Sequence, residues 1–388
     1  KFMEFYKNVL IKSKHIDEKD FLQMMNTDLK SNFFYITAKD ESLTKLMLNF
    51  DYLAPMLKQE QADIMIIQQN LIINGPMIKV TYKNIPQTKF KYNRWIIENT
   101  ELSFLERFKF SSIIPFLFLG NLKTDSLFCQ GNIEPTVIKI FAKLLSKSFI
   151  FVNVPDIKEA KDNYNFCAEN LCVISYNKPE DIPQITQFDR VVCIAPSSND
   201  GSFYDTKEDW SVDKAISNNP IQKDYLRCSL KKLKPTGICV YATFSINPIE
   251  NEDVVNSVLN EFNDEFRIVD CSQTFSEIKR FQGLTNWSIE EFNSNNSKVD
   301  NINFCMRFYS HLIHSDSTFV AVIERASKID IEIQAQEKSN IENPIFKNVS
   351  QDILNNIANE FGFHLNDFFR ISFLKNFQKY NFLCFNRT

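Results

Sequence analysis

Short apolar runs that alternate with polar turns occupy the middle of the chain. Five of these runs are rich in β-branched and aromatic residues, and they predict strands at 125–129, 149–152, 171–175, 190–195 and 238–243. Apolar residues at helical spacing lie between them, as in Leu226, Leu230 and Leu233, and residues 234–237 have the composition of a helix end. Strands that alternate with helices predict an α/β fold, in which helices cover both faces of a mainly parallel sheet.

Two polar loops follow the last two of these predicted strands. Residues 196–201 follow the first of the two, and residues 245–248 follow the second. Ligand sites of open α/β sheets lie just outside the carboxyl ends of the parallel strands. Both loops are therefore expected to belong to one candidate site.

Other elements are expected on either side of this region. Asp17 is typical of a helix cap, with Phe21, Met24 and Met25 on the buried side of the helix that follows. Further expected elements are a helix after Asp40, a helix at 111–117, a helix at 136–145, a polar lid-like insertion at 270–301, an antiparallel hairpin of 306–311 with 317–323, and a helix at 353–361.

Composition narrows the class of protein. The chain has 388 residues, of which 44% are hydrophobic, and this is sufficient for a large core and more than one domain. A net charge of −4 gives no support to a naked nucleic-acid binder, because such proteins gain affinity by neutralising phosphates. Nine cysteines without a CxxC pair and only four histidines predict no metal site and free thiols in an intracellular reducing compartment. No membrane span or secretory signal is expected.

Two strings within this region carry a family resemblance. Residues 188–201 read FDRVVCIAPSSNDG, and residues 233–252 read LKPTGICVYATFSINPIENE. They resemble motifs IV and VI of the Nop/Sun-type RNA cytosine-5 methyltransferases, particularly the branch that methylates tRNA. Nine of the twelve positions in 241–252 fit the family's motif VI string, Y-S-T-C-S-L-N-P-I-E-N-E.

The resemblance implies a domain organisation. It implies a Rossmann-like methyltransferase sheet at 93–326, preceded by an α+β helper domain at 1–92. A charged linker at 327–341 and the start of a C-terminal domain at 342–388 would follow. The resemblance also implies that Pro196, Ser198 and Asp200 contact substrate.

The positions of the family's two cysteines hold other residues. Phe244 stands at the nucleophile position, Ser197 at the motif IV cysteine and Ile194 at the motif IV aspartate. Methylation of cytosine carbon 5 requires a thiolate to attack carbon 6, which phenylalanine cannot do and an unassisted serine does poorly. Cys193 and Cys239 lie nearby in sequence, but both are expected to be buried as small hydrophobes.

The cofactor motif departs from the family pattern as well. Where the family has an aspartate, a glycine and a lysine, this chain has Phe128, Glu134 and Thr136. The Phe128 ring is expected to narrow the cleft, and the Glu134 carboxylate is expected to repel the cofactor's carboxylate. Asp156 and Asn177 are the candidates for vestigial contacts with ribose and adenine.

These departures favour a pseudo-methyltransferase, without catalytic residues or a bound cofactor, that serves as an RNA-contacting or scaffold subunit of a complex. Its expected partners are tRNA or rRNA and proteins such as an active paralogue or a ribonucleoprotein, with no membrane or metal involved, and residues 342–388 are the expected protein contact. One alternative is an active tRNA or rRNA cytosine-5 methyltransferase that uses S-adenosylmethionine and atypical catalytic residues. Another is a protein-interaction module without RNA contact.

Overall fold

A computed structural model describes the protein over most of the region that carries these motifs. The described residues are 1–25, 29–36, 62–67, 77–83, 91–102, 104–120, 126–145, 148–156, 158–159, 172–182, 187–202, 210–292, 299–325, 346–348, 369–370, 372–374 and 382–387. The helix predicted after Asp40, the linker at 327–341 and the helix at 353–361 lie outside these residues.

The described strands are β1 (Leu29–Ile36), β2 (Ala62–Ile67), β3 (Met77–Lys83), β4 (Leu105–Phe108), β5 (Leu127–Gly131), β6 (Ile150–Asn153), β7 (Cys172–Ser175), β8 (Phe188–Ile194), β9 (Leu233–Thr243), β10 (Phe266–Ile268), β11 (Phe281–Gln282), β12 (Met306–Phe308), β13 (Thr318–Arg325), β14 (Phe346–Asn348), β15 (Phe369–Arg370), β16 (Ser372–Leu374) and β17 (Phe382–Arg387). The described helices are α1 (Phe2–Tyr6), which a π-helical turn (Lys7–Ile11) continues, α2 (Glu18–Met25), α3 (Lys91–Glu101), α4 (Phe110–Leu117), α5 (Pro135–Leu144), α6 (Val212–Lys231), α7 (Glu252–Glu261) and α8 (Ser310–Ile313).

A mainly parallel sheet forms the centre of the fold. Its middle strands run in the order β9-β8-β5-β6-β7, and every neighbouring pair among these five is parallel. The antiparallel strand β13 extends the sheet beyond β9, and β17 pairs antiparallel with β7 at the other side. The α/β prediction is confirmed, and each predicted strand has its counterpart in β5 to β9.

The two faces of this sheet are covered by different helices. One core cluster joins α4 and α5 to one face, with Phe116 and Phe141 packed against strand residues such as Val192. A second cluster joins α6 and α7 to the opposite face, with Leu226 packed near Val191. Adjacent residues of one strand point to opposite faces, which explains why Val191 and Val192 belong to different clusters.

The start of β9 corrects one prediction. Residues 234–237 were expected to end the helix that contains Leu226, but α6 ends at Lys231 and the strand begins at Leu233. Leu233 pairs with Phe188 across an irregularity in the β8–β9 ladder. The Lys234 ammonium lies 2.9 Å from an Asp189 carboxylate oxygen, so a cross-strand ion pair holds the polar stretch in the sheet.

The N-terminal residues divide between two environments. Strands β1 to β4 form a separate antiparallel sheet in the order β2-β3-β1-β4. Helix α2 begins as predicted, because the Asp17 carboxylate accepts the backbone N–H of Asp20 at 2.7 Å. Helices α1 and α2 pack against Ile246 and Ile249 in the loop after β9. The domain boundaries at 92, 326 and 341 stay predictions.

The described parts of the segment expected to be a lid, residues 270–292 and 299–301, are packed into the fold instead. Ile278 and Leu284, inside the predicted 270–301 insertion, are 7% and 2% exposed, and β11 joins the sheet edge next to β12. The final hairpin is present, with Met306 paired to Val320. Its first strand is shorter than predicted, because α8 occupies the connection at residues 310–313.

A buried ion pair ties the hairpin to the loop after β9. Arg307 in β12 and Glu252 at the start of α7 are 2% and 0% exposed. The Arg307 guanidinium donates to both Glu252 carboxylate oxygens and, at 2.8 Å, to the Ile246 carbonyl. The backbone N–H of Leu284 donates to the same carboxylate at 2.8 Å. Three separate chain segments, the turn from β9 to α7, the stretch at Leu284 and strand β12, therefore meet at one compensated charge.

We expect Glu252→Gln to destabilise the protein by about 3–5 kcal/mol, because it leaves the Arg307 charge buried without its counter-ion. A matched control is Glu324→Gln, which breaks the exposed Arg267–Glu324 pair, where the two side chains are 67% and 32% exposed. That change should cost about 0–1 kcal/mol. Chemical unfolding followed by tryptophan fluorescence measures both, and equal losses would contradict this account of the pair.

Candidate functional site

The two motif loops lie side by side at the carboxyl ends of β8 and β9, as the sequence predicts. Gly201 donates its backbone N–H to the Phe244 carbonyl at 3.1 Å. A Cβ atom at Gly201 would lie 2.8 Å from that same oxygen, so only glycine allows the loops to approach this closely. Ser198 donates its N–H at 2.8 Å and its hydroxyl at 2.5 Å to the Glu250 carboxylate. Ser198, Gly201, Phe244 and Glu250 are thus brought together.

Side chains of helix α6 donate hydrogen bonds to both loops. Gln222 donates to the Pro196 carbonyl at 2.8 Å and to a Glu250 oxygen at 3.0 Å. Asn218 donates to the same Glu250 oxygen at 3.0 Å, and Asn219 donates to the Ile249 carbonyl at 2.6 Å. Sequence reasoning missed these side chains. The signal was present, because three amides at 218, 219 and 222 share one face of an otherwise sheet-packed helix.

The loop after β9 also binds itself. Asn251 donates to the Ser245 carbonyl at 2.9 Å and accepts the Thr243 hydroxyl at 2.5 Å. The Asn247 side-chain oxygen accepts the backbone N–H of Ile249 at 3.1 Å. All of these side chains are buried. The matching residues of motif VI therefore form a buried polar scaffold for the loop.

Asp200 joins this scaffold to the N-terminal helix. It is 3% exposed, and its carboxylate accepts the Ser245 hydroxyl and the Ile246 N–H, each at 2.8 Å. The same carboxylate accepts the hydroxyl of Tyr6 in α1, 194 residues earlier in the chain. Burial and then the neighbouring Glu250 carboxylate raise the pKa of Asp200 to about 6. Substrate binding by Asp200 stays a prediction, while its contacts are those of a structural residue.

Ser197 and Phe244, which occupy the family's two cysteine positions, take no part in the side-chain hydrogen bonds of the buried scaffold. The Ser197 side chain is partly exposed, and its hydroxyl donates to the Asn199 side-chain oxygen at 3.1 Å. The Phe244 ring is partly buried and packs against the core cluster beneath α4 and α5. Among the described residues, no general base for Ser197 is found at that hydrogen bond, since Asn199 is a neutral amide.

Four of the cysteines that the structure describes offer no replacement thiolate. Cys193 and Cys239 are fully buried in β8 and β9, as expected. Burial raises the pKa of the Cys193 thiol to about 12 and raises the pKa of the Cys239 thiol as well. Burial likewise raises the pKa of Cys271 to about 11 and raises that of Cys305. A thiol with a raised pKa is a poor nucleophile near neutral pH.

The loop after β5, where the family's cofactor motif lies, is closed against β8. Gly131 has a φ of +101°, and a Cβ there would lie 1.9 Å from the Ile194 carbonyl oxygen. The following residue, Asn132, donates its backbone N–H to that carbonyl at 2.9 Å. This backbone donor of the loop is therefore used within the sheet.

Phe128 does not have the position expected from the sequence. Its side chain is fully buried, and its ring centroid lies 5.3 Å from that of Phe188 and 5.4 Å from that of Phe151. It lies three residues before the end of β5 and belongs to the core under α6 and α7. The ring fills the core and not an open cleft, which corrects the expected narrowing.

Glu134 lies at the start of α5 and turns towards α4. Its carboxylate accepts the backbone N–H of Lys109 at 3.3 Å and a hydrogen bond from the Ser112 side chain. Burial raises the pKa of Glu134. The Lys109 ammonium pairs with Asp316 at 3.0 Å, and Asp316 accepts the Ser202 hydroxyl at 3.1 Å. These contacts connect the cofactor-side loop to the motif IV loop.

At the carboxyl ends of β6 and β7, the hydrogen bonds converge on Asn153, which sequence reasoning did not identify. Asn153 is the last residue of β6, and its side-chain oxygen accepts the Ser175 hydroxyl at 2.6 Å and the Asn177 N–H at 2.9 Å. Its amide donates to the Asn177 carbonyl at 3.0 Å. Asp156, the predicted ribose contact, is exposed, and it accepts the Glu159 N–H at 2.9 Å. Cofactor contacts by Asp156 and Asn177 stay predictions.

The described residues contain no group of three His, Cys, Asp or Glu side chains that could hold a metal ion. Within the same ranges, the helices are too short or too polar to cross a bilayer.

Comparisons with known proteins agree with the geometry. Residues 156–324 match the family model described as 16S rRNA methyltransferase RsmB/F. The chain is 33% identical over 175 residues to the multisite-specific tRNA:(cytosine-C(5))-methyltransferase trm4b of Schizosaccharomyces pombe, a match that covers 38% of this chain and 26% of that protein. It is 22% identical over 400 residues to the tRNA (cytosine(34)-C(5))-methyltransferase of Drosophila melanogaster, with 85% and 53% covered. The chain thus spans between a quarter and about half of these relatives.

Solved structures support the fold. The crystal structure of NSun6 from Pyrococcus horikoshii with SFG superposes with a TM-score of 0.56 at 12% identity, covering 84% of this chain and 98% of that one. At this identity the likeness concerns the fold alone. Together with the matched motifs, these findings show that residues 156–324 of the chain match the RsmB/F family model and are similar to RNA cytosine-5 methyltransferases.

Proposed function

We propose that the chain is a catalytically inactive homologue of the RNA cytosine-5 methyltransferases, which acts as an RNA-contacting or scaffold subunit of a larger complex. The observation that carries this proposal is the side chain at the end of β9. Phe244 stands where the family pattern has the nucleophile, inside a loop that otherwise keeps its scaffold. A phenyl ring cannot form the covalent bond to carbon 6 that the reaction requires.

The surroundings of Phe244 support the proposal. The Ser197 hydroxyl is bonded to a neutral amide, and the buried thiols of Cys193 and Cys239 have raised pKa values. Neither group supplies an activated nucleophile in its place. The alternative of an active enzyme with atypical residues therefore finds no activated nucleophile in Ser197, Cys193 or Cys239.

The cofactor side gives independent support. S-adenosylmethionine binding in an α/β sheet needs polar groups available at the carboxyl ends of the first strands. At these ends Asn132 donates to Ile194, Asn153 bonds both polar atoms to the β7 side, and Glu134 directs its carboxylate to α4. These groups are engaged within the fold and fit the cofactor poorly.

The two motif loops at the ends of β8 and β9 favour a binding role. Their buried scaffold holds a fixed surface at this edge of the sheet. The relatives are named for acting on tRNA. RNA is therefore the proposed partner of this edge. The net charge of −4 favours additional protein contacts, for which residues 342–388 stay the proposed segment.

We expect no binding of S-adenosylmethionine at about 100 μM and no methyl transfer to RNA, because both the cofactor edge and the nucleophile position lack the required groups. Isothermal calorimetry measures the first, and transfer of a tritiated methyl group to total RNA measures the second, with an active relative as positive control. Micromolar cofactor binding would refute the first half, and transfer above background would revive the active-enzyme alternative.

We expect that Phe244→Cys does not restore methyl transfer, because the new thiol would face a cofactor edge that is still unfit. The double variant Phe244→Cys with Ser197→Cys, which restores both cysteines of the family pattern, should be equally inactive. The same tritium assay compares them with the unchanged protein. Activity of either variant would show that the cofactor still binds and that the unchanged protein lacks only the groups that attack the target base.

A further inference from the structure

Three of the chain's four histidines lie at one interface. We call residues 1–25 the N-terminal segment, which consists of α1, the π turn, α2 and their connection. It packs against the loop after β9 and against the connection between β12 and β13. His15 lies within this segment, while His311 and His314 lie in the connection that it covers.

His15 is enclosed by aromatic rings. Its ring centroid lies 5.7 Å from that of Phe281 and 6.1 Å from that of Tyr309. The Nε2 atom is buried and has no hydrogen-bond partner among the described residues. Burial, followed by the positive charge of Arg307, lowers the pKa of His15 to about 3. The docked segment thus holds this imidazole in its neutral form.

His311 extends this group of rings, and His314 lies near His311 in the same connection. The His311 ring lies parallel to that of Tyr309, 6.3 Å away, and its Nε2 lies 3.8 Å from an Asp20 oxygen in α2. Neither ring nitrogen of His311 makes a hydrogen bond within the described ranges. Burial lowers the pKa of His311, with Asp20 acting against it, and burial, Lys79 and His311 lower the pKa of His314.

We propose that this histidine cluster is an acid-sensitive latch. Protonation of His15, His311 and His314 would place up to three positive charges in a buried interface that already contains Arg307 and faces Lys79. Within the described ranges, the negative charge recorded next to an imidazole is that of Asp20, since the Glu252 carboxylate is already paired with Arg307. Acidification therefore releases the N-terminal segment from the body of the fold.

The direction of the pH effect follows from proton linkage. A released histidine regains a pKa of about 6.5, whereas the docked histidines have lowered values, so protons bind mainly to the released state. His15, whose docked pKa is about 3, then favours release by about tenfold for every pH unit below about 6.5, and His311 and His314 act in the same direction. Asp200 acts in the opposite direction, because its raised pKa makes its docked form the better proton acceptor.

Release would uncover the motif loops. The N-terminal segment covers Ile246 and Ile249, and its Tyr6 hydroxyl bonds to Asp200. When the segment leaves, Asp200 loses the Tyr6 contact and the apolar side of the loop after β9 meets solvent. The latch therefore controls access to the edge of the sheet that forms the candidate site. This inference does not depend on the loss of catalysis.

Hydrogen exchange of the N-terminal segment tests the latch. Between about pH 7.5 and about pH 5.5, after correction for the intrinsic exchange rate, its protection should fall by about threefold through His15 alone, allowing for about fourfold opposition by Asp200, and by more as His311 and His314 respond. Strands β8 and β9 should keep their protection over the same range.

Two variants make the test specific. His15→Phe keeps the ring packing against Phe281 and Tyr309, and it should reduce the fall in protection by about tenfold. Asp20→Asn, at a half-exposed position that is safe for folding, should make the segment release at higher pH, because His311 loses its favourable charge. Three outcomes would each overturn the proposal. The protection of the N-terminal segment could stay constant in the unchanged protein, or it could fall equally in the His15→Phe variant. Strands β8 and β9 could also lose their protection at the same time.

Discussion

The loops at the carboxyl edge of the sheet are arranged around two buried carboxylates of one loop, each of which needs hydrogen-bonding or charged partners. Glu250 and Glu252 are both fully buried in the turn from β9 to α7. Arg307 compensates Glu252 with a bidentate pair, whereas Glu250 is satisfied by neutral donors, including Ser198 and Gln222. Buried charges are costly unless paired and hydrogen-bonded. The positions of α6, β12 and the motif IV loop follow from this requirement.

This requirement separates the parts of the motif that support the fold from the parts that perform chemistry. Within residues 241–252, Asn247, Glu250, Asn251 and Glu252 all use their side chains in the buried network. The side chain at position 244 takes no part in it, and only its backbone oxygen is held, by Gly201. A change from cysteine to phenylalanine there leaves every hydrogen bond of the scaffold intact. The match to the family string thus reports a fold more strongly than a reaction.

Sequence reasoning was sufficient where one short stretch determines its own structure. The runs at 190–195 and 238–243 are apolar on both faces, and strands buried on both sides have that composition. The extension of β9 to Leu233 was not visible, because Leu233 pairs with Phe188 across an irregularity in the β8–β9 ladder. The contact of Tyr6 with Asp200 was equally hidden, since it joins residues 194 positions apart.

On the cofactor side of the candidate site, sequence reasoning also failed where distant contacts determine the position of a side chain. The sequence predicted that the Glu134 carboxylate repels the cofactor, but its direction towards α4 depends on how that helix packs, which no local pattern encodes. Phe128 was placed in a cleft by alignment, although its strand position directs the ring into the core. A native domain has a net stability of only about 5–15 kcal/mol, so side chains that bury charge or fill the core are held strongly in place. Residues that only perform chemistry carry no such constraint, and a fold can therefore keep its motif loops after its nucleophile has gone.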